Sequence, residues 1–257
     1  MLVQDHARFM AKHPPRYLSS ARLMTAAHLL NNVVEIVALR LDVGAPVVGA
    51  LATQLSEAER CRADRFAFET DRQRFIVGRA RLRQLLGARL DVQPESVELI
   101  SGPYGKPALA PPFADPDLRF NLSHSGNIAA YAFSHGHEVG IDIEAIRTLS
   151  EADEIAASTF SRSENAAYLA LSPSDRMQGF FNCWTRKEAF IKAVGDGLSY
   201  PLDRFDVSLA PGKPARIISI DNAAAGDFGW EMESFSPAPG FVGAVVVERS
   251  KGYAGRL

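Results

Sequence analysis

The stretch V-G-I-D-I-E, residues 139–144, combines two patterns that decide how this part of the chain folds. Its aliphatic residues alternate with Asp142 and Glu144, which is the period of two that is typical of a β-strand with one buried face. Both carboxylates then lie on the same face of the strand. Paired carboxylates supply oxygen ligands of the kind that Mg²⁺ prefers. A D-x-E pair alone is more often solvent-exposed, so a metal site needs a further partner.

The segment W-T-R-K-E-A-F-I-K, residues 184–192, carries a second pattern of charged and apolar residues. Its pattern predicts a helix on which Glu188 and Lys192 share one face, because they are four residues apart. The simplest alternative is an exposed ion pair worth about 0.3–0.5 kcal/mol. Gly195 and Gly197 are predicted to end the helix and to hold this face in place.

The segment F-N-L-S-H-S, residues 120–125, places two hydroxyls, an amide and an imidazole directly before a predicted strand. These donors suit a phosphate group, although a structural histidine is the simpler interpretation of His124. A serine hydrolase is a weak alternative because the chain has no G-x-S-x-G motif. Neighbouring residues on a strand also point to opposite faces, which separates Ser123 from His124.

Composition excludes several classes of protein. The chain has 257 residues, of which 47% are hydrophobic and 23% charged, and its formal net charge of −2 gives no general reason to expect a nucleic-acid partner. Cys61 and Cys183 cannot form a disulfide framework and lack the spacing of a zinc site. No apolar run approaches the roughly 20 residues that span a bilayer. We therefore expect a cytoplasmic protein that binds neither nucleic acid nor a membrane.

The order of predicted elements favours an α+β fold. Ser56 and Glu59 form a capping-box pattern that opens a helix. The other predicted elements are a strand over 33–43, a basic helix over 70–90, strands over 128–134 and 138–143, helical stretches over 152–171 and 175–194, and strands over 205–209, 215–220 and 241–248. Residues 1–30 are expected to be an N-terminal extension, poorly ordered or a short helix. Their acid-poor composition leaves a transit peptide as a less favoured alternative.

Together, in this order and spacing, the three segments resemble the Sfp-type phosphopantetheinyl transferases. The G-K-P at residues 105–107 and the R-F at residues 65–66, followed by a basic helix, are also similar to that family. This resemblance implies a pseudo-dimer of two similar α+β halves, residues 31–137 and 138–257. Coenzyme A would bind in the cleft between the halves of a monomer, and the active site would lie there.

The resemblance also implies roles for individual residues. Mg²⁺, or Mn²⁺ as a substitute, would be held by Asp142, Glu144 and Glu188. The phosphates of coenzyme A would be bound by Arg62, Lys106, Ser123, His124, Lys187 and Lys192. Of these, Arg62 and His124 would bind the 3′-phosphate, and Lys192 the pyrophosphate with Lys187 near it. Glu59 stands where some members carry a basic residue, so Arg72 or Arg74 would share the 3′-phosphate contact.

Catalysis would rest on Asp142, Glu188 and Lys192. Glu188 would act as the base, directly or through a water, and Lys192 would stabilise the departing 3′,5′-ADP. The implied reaction moves the phosphopantetheine arm of coenzyme A onto a serine of an acyl or peptidyl carrier protein, in fatty-acid, polyketide or nonribosomal-peptide synthesis. Two alternatives stay open: a non-catalytic module that binds coenzyme A or a carrier protein, and a metal-dependent hydrolase of another phosphoanhydride.

Overall fold

A main antiparallel sheet with a 22-residue helix packed against it forms the centre of each of the two halves of the protein. The structure is a computed structural model that describes residues 23–30, 33–102, 105–111, 113, 117–195, 200–221, 223–224 and 229–249. This mixture of helices and antiparallel strands confirms the predicted α+β class. No helix among these residues is long and apolar enough to cross a membrane.

The N-terminal half contains a four-stranded sheet with the strand order β1-β2-β6-β5. Its elements are β1 (Leu23–Leu29), β2 (Val34–Arg40), α1 (Ala45–Ala52), α2 (Glu57–Ala63), α3 (Glu69–Leu90), β3 (Leu99–Ser101), β4 (Pro107–Leu109), β5 (Leu118–Ser125) and β6 (Ile128–His135). Helix α3 packs on the sheet through Val77 and Ala80, which join Leu39 and Tyr131 in one buried cluster.

The C-terminal half contains a three-stranded sheet with the order β11-β12-β7 and a second small sheet with the order β10-β9-β8. Its elements are β7 (Val139–Ala145), α4 (Ala152–Thr159), α5 (Arg162–Leu169), α6 (Pro173–Val194), β8 (Phe205–Val207), β9 (Ile217–Ile220), β10 (Ala223–Ala224), β11 (Trp230–Phe235) and β12 (Phe241–Glu248). Helix α6 packs on β12 through Ala189 and Phe190, which lie in one cluster with Ala244 and Val246.

A third buried cluster joins the two halves. Val34 and Ile36 of β2 lie in it with Ile141 and Ile143 of β7, and all four side chains are fully buried. The sequence pattern predicted this result for β7, whose aliphatic face was expected to be buried. The shared cluster fixes β7 at the boundary between the halves, with its carboxylates on the opposite face.

A glycine allows α6 to approach β7 closely. A Cβ atom at Gly140 would overlap with the carbonyl oxygen of Ala189 and the backbone nitrogen of Ala193, so no larger residue fits without a shift of the helix. Glu188 and Lys192 each precede one of these alanines. The close approach therefore brings both side chains beside the carboxylates of β7.

Several predicted elements agree with the structure. Ser56 and Glu59 form the complete capping box of α2, and the basic helix begins within one residue of its predicted start. Gly195 ends α6 in the left-handed conformation with a φ of 87°, as a C-cap glycine does. Gly197 lies outside the described residues.

Three predictions differ from the structure. The chain over Leu23–Leu29 is a strand paired with β2, where the sequence allowed a short helix, while residues 1–22 lie outside the described part. The helical stretch over 152–171 is two helices, because Phe160 is extended and Ser161 caps a new helix with Glu164. The segment over 120–125 lies within β5, and does not merely precede a strand.

Candidate active site

A cleft of about 1010 Å³ lies between the two halves. Helix α3 and strand β5 form one wall, and β7 with the C-terminal part of α6 forms the other. The predicted residues that line the cleft are Arg62, Ser123, His124, Asp142, Glu144, Glu188 and Lys192. Most of the predicted site is therefore brought to one place by elements that are far apart in the sequence.

Asp142 lies at the centre of this group and is buried. Its Oδ1 atom accepts hydrogen bonds from Lys192 Nζ and from Ser123 Oγ, both at 2.7 Å. Its Oδ2 atom is buried and has no hydrogen-bond partner among the described residues. Burial raises the pKa of Asp142, while Lys192 and Ser123 act in the opposite direction. For Oδ2, no hydrogen bond from the described residues replaces the hydration that is lost on burial.

The two glutamates add negative charge around Asp142. Glu144 Oε2 accepts a hydrogen bond of 2.7 Å from Ser125 Oγ and lies 3.4 Å from a guanidinium nitrogen of Arg147. Glu188 is half-buried, and its pKa is raised first by burial and then by the negative charges of Asp142 and Glu144. The negative charges of the three carboxylates therefore repel one another. Lys192 lies among them and forms an ion pair with Asp142.

A divalent cation fits this arrangement chemically. Among the described residues, no group of three or more acidic, histidine or cysteine side chains is assembled as a ready ligand set. The electrostatics nevertheless favour a hard cation. The ligands are oxygens, Asp142 Oδ2 is buried with no partner in the described part of the chain, and burial with mutual repulsion destabilises the ionised carboxylates. Asp142, Glu144 and Glu188 would hold Mg²⁺ there.

The opposite wall of the cleft is basic and aromatic. Arg62 is exposed and its guanidinium lies 5.3 Å from the ring centre of Phe75, while that of Arg79 lies 5.8 Å from the same ring. Arg79 is also 3.5 Å from Glu59, and burial lowers the pKa of Arg79. This wall offers cations to a phosphate and a ring face to a planar base.

The alternative 3′-phosphate ligands differ from each other. Arg74 lines the cleft, but its guanidinium forms two hydrogen bonds to Asp42 at 2.7 and 3.0 Å. Arg72 is not among the lining residues and pairs with Glu69 at 2.7 Å. Of the two candidates for the 3′-phosphate contact, Arg74 therefore lies at the cleft and Arg72 does not.

Lys187 does not reach the cleft, which corrects the expectation that it contacts coenzyme A. Its ammonium group is buried on the other side of α6, where it pairs with Glu164 at 2.7 Å. It also donates to the carbonyl oxygens of Leu202 and Phe205, both at 2.6 Å. All three ammonium donors are therefore engaged, and Lys187 fixes the chain that follows α6.

Lys106 lies at the edge of the site and bridges the two halves. Its ammonium donates to the carbonyl oxygen of Lys192 at 2.9 Å and is 3.8 Å from Glu138. Burial lowers the pKa of Lys106. Its neighbours Gly105 and Pro107 line the cleft, whereas Lys106 itself does not.

Comparisons with known proteins show the family of the chain. The model of the 4′-phosphopantetheinyl transferase superfamily matches residues 138–246, and a model described as 4′-phosphopantetheinyl transferase, N-terminal, matches residues 47–135. The 4′-phosphopantetheinyl transferase HetI of Nostoc sp. is 36% identical over 219 residues, covering 85% of this chain and 89% of HetI. The chain belongs to the 4′-phosphopantetheinyl transferase superfamily.

Other members of the superfamily match shorter parts of the chain. The transferase Sfp of Bacillus subtilis is 36% identical over 151 residues, covering 59% of this chain and 64% of Sfp. AcpT of Escherichia coli K12 is 42% identical over 124 residues, covering 48% of this chain and 58% of AcpT. The crystal structure of Thermotoga maritima holo-[acyl-carrier-protein] synthase aligns with a TM-score of 0.34 and 22% identity, covering 44% of this chain and 64% of that chain.

Sequence reasoning missed two residues of this transferase's site. Arg79 lines the cleft beside Arg62, although the density of arginines on α3 gave no means of selecting it. Ser125 binds Glu144 and was not singled out among the polar residues of β5. A signal for Ser125 existed, because it is two residues from Ser123 and so lies on the same face of the strand.

Proposed function

We propose that this transferase moves the phosphopantetheine arm of coenzyme A onto a serine of an acyl or peptidyl carrier protein with the aid of Mg²⁺. Membership of the superfamily supports the reaction. The observation that supports the site is the cleft itself, where three carboxylates and Lys192 from one half face Arg62 and His124 from the other. Bound Mg²⁺ would neutralise negative charge on the pyrophosphate.

The side chains of the chain have distinct tasks in this proposal. Arg62 and His124 bind the 3′-phosphate and so place the pyrophosphate next to the carboxylates. Glu188 accepts the proton of the acceptor hydroxyl, for which a carboxyl of raised pKa is suited. The serine oxygen forms a bond to phosphorus as the bond to the bridging oxygen breaks. Lys192 donates hydrogen bonds to the departing 3′,5′-ADP.

The quaternary arrangement forms part of the same proposal. Residues 31–137 together with strand β1, and residues 138–257, act as the two halves of one monomer, and the cleft between them binds one coenzyme A per chain. Support comes from the lining of the cleft, to which both halves of this chain contribute. Light scattering of the protein with coenzyme A would detect any larger assembly.

The function can be tested by mass spectrometry of several apo-carrier proteins incubated with the protein, coenzyme A and MgCl₂. We expect a mass gain of one phosphopantetheine on a single serine, and its loss when EDTA replaces MgCl₂. Binding of coenzyme A without a mass gain would favour the non-catalytic module. Cleavage of coenzyme A with no modified carrier would favour the hydrolase.

His124→Ala should weaken recognition of the 3′-phosphate. A hydrogen bond to a charged group contributes about 1.5–3 kcal/mol, so we expect KM for coenzyme A to rise about tenfold or more. The KM for dephospho-coenzyme A should stay within twofold, because that compound lacks the group. Steady-state kinetics with both compounds would check this. His135→Ala, an exposed histidine at the end of β6, is the matched control. An equal loss with both compounds would assign His124 another role.

A further inference from the structure

Strands β5 and β7 meet at the boundary between the halves, and each is the last strand of its own sheet in the described part of the chain. They are connected by hydrogen bonds from the backbone of β7 to side chains of β5. The pairs are Ile141 N to Asn121 Oδ1 at 3.1 Å, Ile143 N to Ser123 Oγ at 3.3 Å, and Ala145 N to Ser125 Oγ at 3.1 Å. The donor and acceptor are 20 residues apart in each pair, so the two strands run parallel.

The pattern N-x-S-x-S on β5 matches the spacing of these amides. Alternate residues of a strand share one face, and alternate N–H groups of a strand point to one edge. The three acceptors are buried, with 4 to 8% of their surface exposed. They therefore satisfy backbone donors that would otherwise be buried without a partner. A slip of one residue would present Leu122 and His124 to the amides, and neither matches the pattern.

Two of these side chains also bind the carboxylates of the cleft. Ser123 Oγ donates to Asp142 Oδ1 and Ser125 Oγ donates to Glu144 Oε2, both at 2.7 Å. A hydroxyl donates one hydrogen bond and accepts others, so each serine can do both at once. Each serine thereby links a carboxylate to the backbone N–H of the residue that follows that carboxylate.

We infer that Asn121, Ser123 and Ser125 form a polar zipper that holds the halves in register, and that Ser125 is a positioning residue for Glu144. The zipper fixes β7 lengthwise against β5, and the serine hydroxyls fix the orientation of the carboxylates on β7. The positioning role rests on the proposed function, because it concerns the use of Glu144 as a metal ligand. The zipper itself does not.

Ser125→Ala tests both parts of the inference. The Ser125 hydroxyl is the acceptor for the Ala145 amide, so without it we expect this amide to exchange with solvent roughly three- to tenfold faster by NMR. Removal of a partner that orients a metal ligand typically costs 10–100-fold in affinity or activity, so Mn²⁺ binding in the presence of coenzyme A should weaken by about tenfold. By the same principle kcat should fall about tenfold, with KM for coenzyme A within twofold. Ser125→Thr keeps the hydroxyl and should restore all three.

Ser134→Ala is the matched control. Ser134 is a buried serine on the neighbouring strand β6, and its hydroxyl has no hydrogen-bond partner among the described residues. We expect Ser134→Ala to leave Ala145 exchange, Mn²⁺ binding and kcat unchanged. The inference would be overturned if Ser125→Ala behaved like this control, or if Ser125→Thr failed to restore the Ala145 amide.

Failure of the proposed function would give a different result. If the unmodified protein transferred nothing to any carrier, kcat would carry no information, but Ala145 exchange would still decide the zipper and Mn²⁺ binding would still decide the positioning of Glu144. If the unmodified protein did not bind Mn²⁺, the positioning role would be refuted together with the metal site. Exchange at Ala145 would again decide the zipper alone.

Discussion

Asp142→Ala should lower kcat/KM for transfer by about a thousandfold or more, while the protein stays folded. Removal of a single group that stabilises transition-state charge costs about 10²–10³ in rate, and Asp142 in addition orients Lys192. The fold should survive because the side chain of Lys192 is 29% exposed and can be hydrated once its partner is lost. The measurement is a steady-state transfer assay combined with a thermal melt of each purified variant.

Two further variants make the result specific. Asp142→Asn keeps the shape and can still accept from Ser123, but it removes the charge, so we expect it to be nearly as inactive. Asp206→Ala removes a carboxylate that accepts hydrogen bonds from Ser163 and Ser219 away from the cleft, and it should remain active. Full turnover by a folded Asp142→Ala variant would refute the assignment of Asp142 to the metal and to catalysis.

Glu188→Gln should lower kcat by about 10²–10⁴, the usual contribution of a general base, and should leave KM for coenzyme A within about threefold. The reason is position, because Glu188 lies on α6 beside the carboxylates, whereas the proposed 3′-phosphate ligands lie on the opposite wall. Kinetics with saturating carrier and varied coenzyme A separate the two parameters.

The Mg²⁺ dependence of this variant separates two roles of Glu188. If Glu188 is the base, added Mg²⁺ should not restore kcat. Recovery of activity at high Mg²⁺ would contradict the role as base and leave Glu188 as a ligand only. Glu154→Gln, an exposed carboxylate on α4 that does not line the cleft, should behave like the unmodified protein.

The alternation in residues 139–144 and the four-residue spacing of Glu188 and Lys192 were sufficient to predict one strand face and one helix face. Both follow from local geometry, with periods of 2.0 and 3.6 residues. That the two faces meet depends on the approach of α6 to β7 at Gly140, which is a tertiary contact. The sequence alone contains no measure of that approach, and the expectation that the two faces share one site came from the family resemblance.

Lys187 shows where proximity in sequence misled. It directly precedes Glu188, but successive helical residues are about 100° apart around the axis, so the two side chains point in different directions. The partner that holds Lys187 in the core, Glu164, is 23 positions earlier in the chain on another helix. A buried ion pair of this kind cannot be read from local pattern, because either residue alone resembles a surface charge.

Strand β1 was missed for a related reason. Leu23–Leu29 has no clear alternation of polar and apolar residues, and its strand conformation comes from pairing with β2. Such pairing partners are selected by the rest of the fold, so propensity within seven residues does not determine them.

The buried cluster shared by β2 and β7 couples the stability of the two halves. Neither half can expose Ile36 or Ile141 to water without losing the favourable burial of both, at a cost of about 1.5–3 kcal/mol for each large aliphatic side chain. Unfolding of one half would therefore destabilise the other, and the boundary between them is a poor place to divide the chain into independent fragments. The protein should melt as one cooperative unit, in spite of its two sheets.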